Sequence, residues 1–268
     1  MAIYHDRKNN LESEYEELVR KSKKYSKYSI ICIVVAVALI LLNSPLAFLG
    51  FVGVALCFVK SGSVMSKANV LAQGIEGEAN TRKLLSVLPD TYHVIPNAEV
   101  VYEGKHSEMD SVIVGNNGVF IVETKNKVGR IYGVLDEHDW TQEKTSRGGN
   151  VYTDEFYNPA KQVATHVYRL SGFLKQNGVH TWVQGMVFFS SAEGIVDITA
   201  KGGEVKTPVF SIRNELVINR GSSTDDFRVN IGTPAEYLGE TNILKYIANH
   251  KKQTLTPAQV EKIVGLLL

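Results

Sequence analysis

The sequence has few of the residues from which covalent frameworks are built. Only two of its 268 residues are cysteines, Cys32 and Cys57, and both fall inside one apolar stretch. Because there are no other cysteines, the rest of the chain can hold neither a disulfide framework nor a cysteine-based zinc site. This shortage of cysteine also fits a reducing compartment.

The chain also lacks an excess of charge of either sign. It carries 29 Lys and Arg against 28 Asp and Glu, for a net charge of +1. The distribution is uneven, since residues 1–60 hold 8 basic and 5 acidic side chains and residues 61–268 hold 21 and 23. Many nucleic-acid-binding domains are basic overall. The slightly acidic larger part therefore counts mildly against tightly bound DNA or RNA, although a local basic patch is compatible with it.

The longest stretch without charge runs from Tyr28 to Val59. As one helix it would be about 48 Å long, well beyond a hydrocarbon core of about 30 Å. The Asn-Ser-Pro sequence at 43–45 is a turn signal in its middle. We therefore expect a transmembrane helical hairpin, with a shallow re-entrant hairpin or a single tilted span as alternatives. Lysines flank both ends, so the positive-inside rule would place both ends of the hairpin in the cytoplasm.

These features predict three parts of the chain. Residues 1–27 would form a cytoplasmic leader that is first acidic and then basic, and residues 28–60 a membrane-embedded segment that turns at 43–45. Residues 61–268 would form a folded domain in the cytoplasm. The sequence does not indicate an oligomeric state.

A β-hairpin with acids at matched positions is predicted for residues 109–125, MDSVIVGNNGVFIVETK. If Asn116 and Asn117 form the turn, the register places Asp110 opposite Glu123, and Lys125 lies on the same face. Like charges directly opposite each other destabilise a hairpin unless a cation lies between them. Two carboxylates are suitable ligands for Mg²⁺ or Mn²⁺, which complete their shells with water and phosphate. The alternative is a structural bridge from Lys125 to one of the acids.

Two helices would bring further polar side chains towards this hairpin. The pattern of residues 71–85 predicts a helix with Glu78 on its apolar stripe, although Glu78 and Arg82 could also form a solvated surface pair. Asn158-Pro159 predicts the start of a second helix. Its polar stripe contains Gln162, His166 and Arg169, which a solvent-facing helix surface would equally explain.

The other predicted elements are short strands, helix starts and one long loop. Strands are expected at 92–95, 98–102, 129–134, 182–190 and 208–212, a loop at 135–157, and helices that start at Thr233-Pro234 and Thr256-Pro257.

Four motifs in this order resemble the nuclease-related domain (NERD) family. They are Gly74-Ile-Glu-Gly-Glu78, Glu108-Met-Asp110, the run from Gly118 to Asn126 followed by Gly129, and Asn158-Pro-Ala-Lys-Gln162. The resemblance covers residues 70–190 best, and one departure is Met109, where many members have isoleucine. That family is similar to the PD-(D/E)xK, restriction-endonuclease-like superfamily. The resemblance implies an α/β fold with an α-β-β-β-α-β core, in which helices flank a mixed sheet, here preceded by the membrane hairpin.

The resemblance also implies a site and a function. The site residues would be Glu78, Asp110, Glu123, Lys125 and Gln162, with Asp110, Glu123 and Glu78 as ligands of Mg²⁺ or Mn²⁺. We expect a membrane-anchored, divalent-metal-dependent phosphodiesterase that acts on DNA or RNA. The alternative is a membrane-tethered interaction or scaffold module that keeps a nuclease-like fold. A sensor in which residues 135–157 become ordered on nucleotide binding is a weaker third hypothesis.

Overall fold

The computed structural model describes residues 1–7, 9–146, 148–200, 206–212, 218–220, 242–251 and 253–268. The chain forms two compact units. The first comprises Asn9–Glu76, and the second comprises Gly77–Leu268 together with the residues before Asn9.

The first unit is a hairpin of two long helices. α1 spans Asn10–Leu41 and α2 spans Ala47–Leu85, the last part of which belongs to the second unit. The turn between them contains Asn43, with a φ of 50°, and Ser44, whose Oγ accepts a hydrogen bond from the Leu46 N–H at 3.3 Å. The predicted turn at 43–45 is confirmed. Both helices extend beyond the uncharged stretch, so there is no break in secondary structure near residue 27 or residue 60.

Small residues line the contact between α1 and α2. A Cβ added to Gly50 would lie 2.5 Å from the Cβ of Ala36, so the backbones approach too closely there for any larger residue. Further along the hairpin, the Oγ atoms of Ser22 and Ser61 lie 3.0 Å apart. Such small-residue contacts are typical of helix pairs in membranes.

Both helices are long and apolar enough to cross a membrane. A core helix of a soluble protein would be mostly buried, whereas only 6% and 0% of the residues in their most apolar windows are buried. The described part of the chain thus leaves a large apolar surface uncovered, which is typical of a membrane or protein interaction site.

In the second unit, the described strands form two sheets. The first has the order β1-β2-β3-β4-β8-β10 and consists of β1 (Ile3–Tyr4), β2 (His93–Tyr102), β3 (Lys105–Gly115), β4 (Gly118–Lys125), β8 (Val183–Phe189) and β10 (Val209–Ser211). The second has the order β11-β9-β5-β6-β7 and consists of β5 (Gly129–Val134), β6 (Asp139–Thr145), β7 (Val151–Tyr157), β9 (Gly194–Ala200) and β11 (Ile218–Arg220). The described helices that follow α2 are α3 (Pro159–Gln176), α4 (Asn242–Ala248) and α5 (Pro257–Leu267).

The first sheet has a hydrophobic core on each face. Leu170 of α3 and Ile263 of α5 pack on one face, and Leu85 of α2 and Ile243 of α4 pack on the other. Because both faces are covered, β8 is buried along its whole length, and its sequence is apolar except for Gln184. In chain order α2, β2, β3, β4, α3 and β8 form the predicted α-β-β-β-α-β core. The fold is a mixed α/β fold in which helices flank a mixed sheet, as predicted, and the sheet is curled.

The prediction of a loop at 135–157 is wrong, because this segment forms β6 and β7. Trp140 of β6 is fully buried and stacks on Phe189, with ring centroids 6.4 Å apart, so one apolar residue secures an otherwise polar strand. The two strands predicted around Pro96-Asn97 are one strand, in which Asn97 adopts a φ of 47°.

The remaining predicted elements have mixed outcomes. The strand at 129–134 is present as β5 but lies in the second sheet. Thr256 caps α5 with the predicted capping box. The helix expected at Thr233-Pro234 lies outside the described residues.

Candidate active site

The β3–β4 hairpin has the predicted register. Val114 pairs with Val119, and the antiparallel ladder continues to the pair formed by Ser111 and Val122. The next positions in that register are Asp110 and Glu123. There the Asp110 Oδ2 accepts a hydrogen bond from the backbone N–H of Thr124 at 2.7 Å, so the carboxylate is fixed beside the end of β4.

Glu123, Lys125 and Gln162 form one hydrogen-bonded group. The Lys125 Nζ donates to the Glu123 Oε1 at 2.7 Å and to the Gln162 Oε1 at 3.1 Å. Glu123 is only 1% exposed, whereas the Lys125 side chain is 22% exposed. Gln162 lies in the first turn of α3, which Asn158 caps by accepting a hydrogen bond from the Ala160 N–H at 2.8 Å. The helix cap therefore positions the amide that holds Lys125.

The last turns of α2 place Glu78 near the same strand end. The Thr124 Oγ1 donates to the Thr81 Oγ1 at 3.0 Å, which ties the helix to β4. A Cβ on Gly77 would lie 2.6 Å from the Cβ of Asn126, so only glycine permits this approach. The half-buried Glu78 lies close enough for its charge to raise the pKa of Glu123.

Burial raises the pKa values of both hairpin acids. The pKa of Asp110 rises to about 7, because burial and the nearby Glu123 charge outweigh the opposing effects of Lys125 and the Thr124 N–H. The pKa of Glu123 is also raised, first by burial and then by Glu78, although Lys125 opposes the shift. Both carboxylates thus lack sufficient positive charge around them.

Lys125 keeps its proton in this environment. Burial disfavours its ammonium form, but the charges of Glu123 and Asp110 more than compensate, so the pKa of Lys125 lies above its ordinary value. A lysine with a raised pKa is a poor general base near neutral pH. The geometry instead favours a role as a fixed positive charge.

The donor set fits a hard divalent cation. The Glu123 Oε2 is buried and has no hydrogen-bond partner, although an ionised carboxylate oxygen in such a place needs a donor or a cation. Among the described residues, no three His, Cys, Asp or Glu side chains converge as a ready-made metal-ligand group. Mg²⁺ is compatible with such a site, because it is often held by one or two carboxylates and keeps several waters.

A buried histidine next to the site was not singled out as a site residue from the sequence. The Nδ1 of His166 lies 2.9 Å from the Ser107 Oγ, which also accepts a hydrogen bond from Arg169 at 3.1 Å. This arrangement holds the His166 Nε2 3.5 Å from the Glu123 Oε2. Burial, and then the charges of Arg169 and Lys125, lower the pKa of His166 to about 4, so the ring is neutral at pH 7. Its position on the polar stripe of α3 was the only signal in the sequence.

Comparisons with known proteins relate part of the chain to a family. The sequence model of the nuclease-related domain (NERD) matches residues 73–190. An uncharacterized protein of Bacillus anthracis is 34% identical over 116 residues, which are 42% of this chain and 52% of that protein. The chain thus aligns with about half the length of this relative. No solved structure matches the chain. Residues 73–190, which include every residue of the candidate site, belong to the nuclease-related domain family.

Proposed function

We propose that this protein is a divalent-metal-dependent phosphodiesterase that cleaves DNA or RNA and is anchored in a membrane. The observation that carries the proposal is the buried Oε2 of Glu123, which accepts no hydrogen bond and lies 3.5 Å from the neutral His166 ring. Lys125 donates to the Oε1 of the same carboxylate at 2.7 Å. A structural ion pair with Lys125 accounts for the Glu123 Oε1 but leaves the Glu123 Oε2 without a counter-charge. Membership of a nuclease-related family agrees with the proposal but does not establish activity.

Asp110 and Glu123 would hold Mg²⁺ or Mn²⁺, with Glu78 as a further acid close by. When bound, such a cation supplies a more acidic water and neutralises charge on the phosphate. Lys125 remains protonated and stabilises the negative charge that develops on the phosphate oxygens in the transition state. Gln162 holds the Lys125 ammonium in place at 3.1 Å.

Cleavage of labelled single- and double-stranded DNA and RNA by the full chain in detergent micelles tests this proposal. We expect cleavage with Mg²⁺ or Mn²⁺ and none with EDTA. Glu123→Gln and Lys125→Met should each lower the rate at least about 100-fold, because each removes a charge needed at the site. Two exposed residues on the same sheet provide matched controls, Glu99→Gln and Lys105→Met, which should keep the wild-type rate. Equal cleavage by the wild type and both site variants, with folding checked by circular dichroism, would refute the assignment.

His166 belongs in the same set of variants as a positioning residue. Replacing residues that orient metal ligands typically costs about 10–100-fold in metal affinity or activity. His166→Leu should therefore raise the Mg²⁺ concentration needed for half-maximal cleavage, and His166→Asn should restore part of the loss. A uniform loss in rate with an unchanged Mg²⁺ dependence would indicate a structural role only.

The second candidate function is a non-catalytic, membrane-tethered scaffold. The observation in its favour is that the described residues contain no preassembled group of three metal-ligating side chains. Titration calorimetry separates the two functions, because a scaffold needs no Mg²⁺ or Mn²⁺ binding that depends on Asp110 and Glu123. Loss of heat on titrating Asp110→Asn and Glu123→Gln supports the enzyme, and the absence of any binding to the wild type supports the scaffold.

The proposed anchor is the α1–α2 hairpin, with residues 61–268 in the cytoplasm. Its support is the exposed apolar surface of both helices and the lysines that flank the uncharged stretch at both ends. Because a hairpin returns the chain to its side of origin, both flanks would face the same compartment.

A further inference from the structure

One face of the two-stranded ribbon formed by β6 and β7 is buried at one end and exposed to solvent at the other. Lys144 pairs with Tyr152, and Trp140 pairs with Phe156, so these four side chains share a face. Trp140 is fully buried at one end, whereas at the other end Lys144 is 29% and Tyr152 49% exposed. The ribbon thus presents a lysine and a tyrosine side by side at the surface.

Lys127 lies on the same face, two residues after Lys125. Its Nζ donates to the Gln142 Oε1 at 3.1 Å and lies 4.1 Å from the centroid of the Phe156 ring. Burial lowers the pKa of Lys127, and the charges of Lys144 and Lys125 lower it further. The Lys127 ammonium therefore lies within electrostatic range of the other two, of which Lys125 belongs to the candidate active site.

Structural contacts account for only part of this arrangement. Packing on Phe156 and the bond to Gln142 explain why Lys127 is ordered, but not why two further lysines lie near it. Lys125 is paired with Glu123, and Lys144 lies 3.5 Å from Asp154, whereas Lys127 contacts a neutral amide and an aromatic ring. Lysines placed in this way next to the proposed phosphate-cleaving site are suited to the neighbouring phosphates of the same strand.

The exposed Tyr152 favours single-stranded over double-stranded nucleic acid as the ligand. Proteins that bind single strands combine a basic groove with aromatic side chains on which unpaired bases stack. In a duplex the base faces are covered by their neighbours, so an aromatic ring beside the backbone track has nothing on which to stack. The pairing of Lys144 with Tyr152 places an ammonium and a ring next to each other, as a nucleotide of a single strand requires.

We propose that Lys127, Lys144 and Tyr152 form a binding surface for single-stranded nucleic acid that extends from the active site, in which the lysines contact successive phosphates and Tyr152 stacks on a base. The inference rests on the proposed function, because that function defines where the scissile phosphate lies. To that function it adds that the substrate is single-stranded. It also assigns three residues that lie outside the four motifs shared with the family.

Fluorescence anisotropy of the full chain in detergent micelles with EDTA, which prevents cleavage, tests this surface. The probes are a labelled single-stranded DNA oligonucleotide and the same sequence as a duplex, each titrated at several salt concentrations. The wild type should prefer the single strand. Lys144→Ala should reduce the slope of log affinity against log salt by about 0.7, the value of one phosphate contact on a single strand. Tyr152→Ala should weaken binding at least about fivefold with an unchanged slope.

Matched controls lie on the opposite face of the same sheet. Arg130, which pairs with Glu143, and Tyr157, which pairs with Asp139, are both exposed there, so Arg130→Ala and Tyr157→Ala should bind like the wild type. The surface is refuted if Lys144→Ala and Tyr152→Ala behave like these controls, or if the wild type binds the duplex as well as the single strand.

The outcome is separable from that of the proposed function. Cleavage by the wild type with Mg²⁺, combined with unchanged binding by Lys144→Ala and Tyr152→Ala, refutes the surface and leaves the phosphodiesterase intact. Predicted binding without any cleavage by the wild type supports the surface and refutes the phosphodiesterase.

Discussion

At the scale of single residues, the arrangement of acids that would bind a cation lowers the stability of the empty site. Two largely buried carboxylates, Asp110 and Glu123, share one ammonium, that of Lys125. Burying a carboxylate without a partner for its charge costs free energy, which appears here as raised pKa values. A bound cation would remove this cost, so the site should be least stable when it is empty and fully ionised.

This conflict predicts the pH dependence of stability in EDTA. The folded protein holds a proton on Asp110 up to pH about 7, whereas the ordinary value is 3.8. The contribution of this proton to stability is therefore fully present below the ordinary pKa and is lost as the pH rises through about 7. Asp110→Asn keeps a group that accepts from the Thr124 N–H and removes the charge. At pH above about 8 it should raise the free energy of unfolding by on the order of 1–2 kcal/mol, since partial exposure screens part of the shift.

Thermal unfolding of the second unit, followed in EDTA across this pH range, measures the effect. The exposed Glu99→Gln is the control and should follow the wild-type curve. Added Mg²⁺ should stabilise the wild type more than Asp110→Asn, because only the wild type keeps both ligands. Identical pH profiles for the wild type and Asp110→Asn would contradict this account of Asp110.

The residue-level prediction from sequence succeeded where local periodicity decides the geometry. Strand alternation and the turn were enough to pair Val114 with Val119 and to bring Asp110 beside Glu123. The contact between Ser107 and His166 depends instead on which face of α3 packs on the sheet, across 59 positions in the chain. No local pattern encodes such a contact. The roles of Glu78, Asp110, Glu123, Lys125 and Gln162 in metal binding and catalysis stay predictions.

At the scale of elements, the turn of the helical hairpin was predictable and the helix lengths were not. Asn-Ser-Pro at 43–45 interrupts any helix, so α1 ends at Leu41. The outer ends lie far beyond the uncharged stretch, because the flanking Glu and Lys residues are good helix formers and no proline interrupts them. The β6 and β7 strands were not predicted because most of their residues are polar. Only a few of these residues, such as Trp140 and Phe156, are buried or packed.

The hairpin predicts a specific disulfide. Because the Ser22 and Ser61 Oγ atoms lie 3.0 Å apart, Ser22→Cys with Ser61→Cys should form an intramolecular crosslink on oxidation, in a background of Cys32→Ala and Cys57→Ala. Mobility in non-reducing gel electrophoresis of membrane preparations measures the crosslink. The control pairs Ser22→Cys with Ser63→Cys, which is exposed on another side of α2 and should remain uncrosslinked. A single tilted span would keep Ser22 and Ser61 on opposite sides of the membrane, so the absence of the crosslink would favour it.

At the scale of the whole molecule, the distribution of charge and the exposed apolar surface bear on where in the cell the protein acts. The uncharged stretch separates a short, net basic leader from a larger part that is slightly acidic. A slightly acidic domain gains little from general attraction to nucleic acid, so the proposed binding would depend on local groups such as the lysines beside the site. In the proposed function, tethering would offset this weakness, because it would confine the enzyme to substrates that reach the membrane surface.

The last prediction concerns the whole chain, namely the side of the membrane on which the second unit lies. The lysines at 21, 23, 24 and 27 precede the uncharged stretch and Lys60 follows it, so a hairpin with both flanks in the cytoplasm satisfies the positive-inside rule at both ends. The full chain should stay in the membrane fraction after alkaline carbonate extraction. Protease should remove a C-terminal tag from inside-out vesicles and leave it intact in right-side-out ones. A tag cut only in right-side-out vesicles would place the nuclease-related domain outside the cell, and release by carbonate would show that the apolar helices bind a surface without inserting.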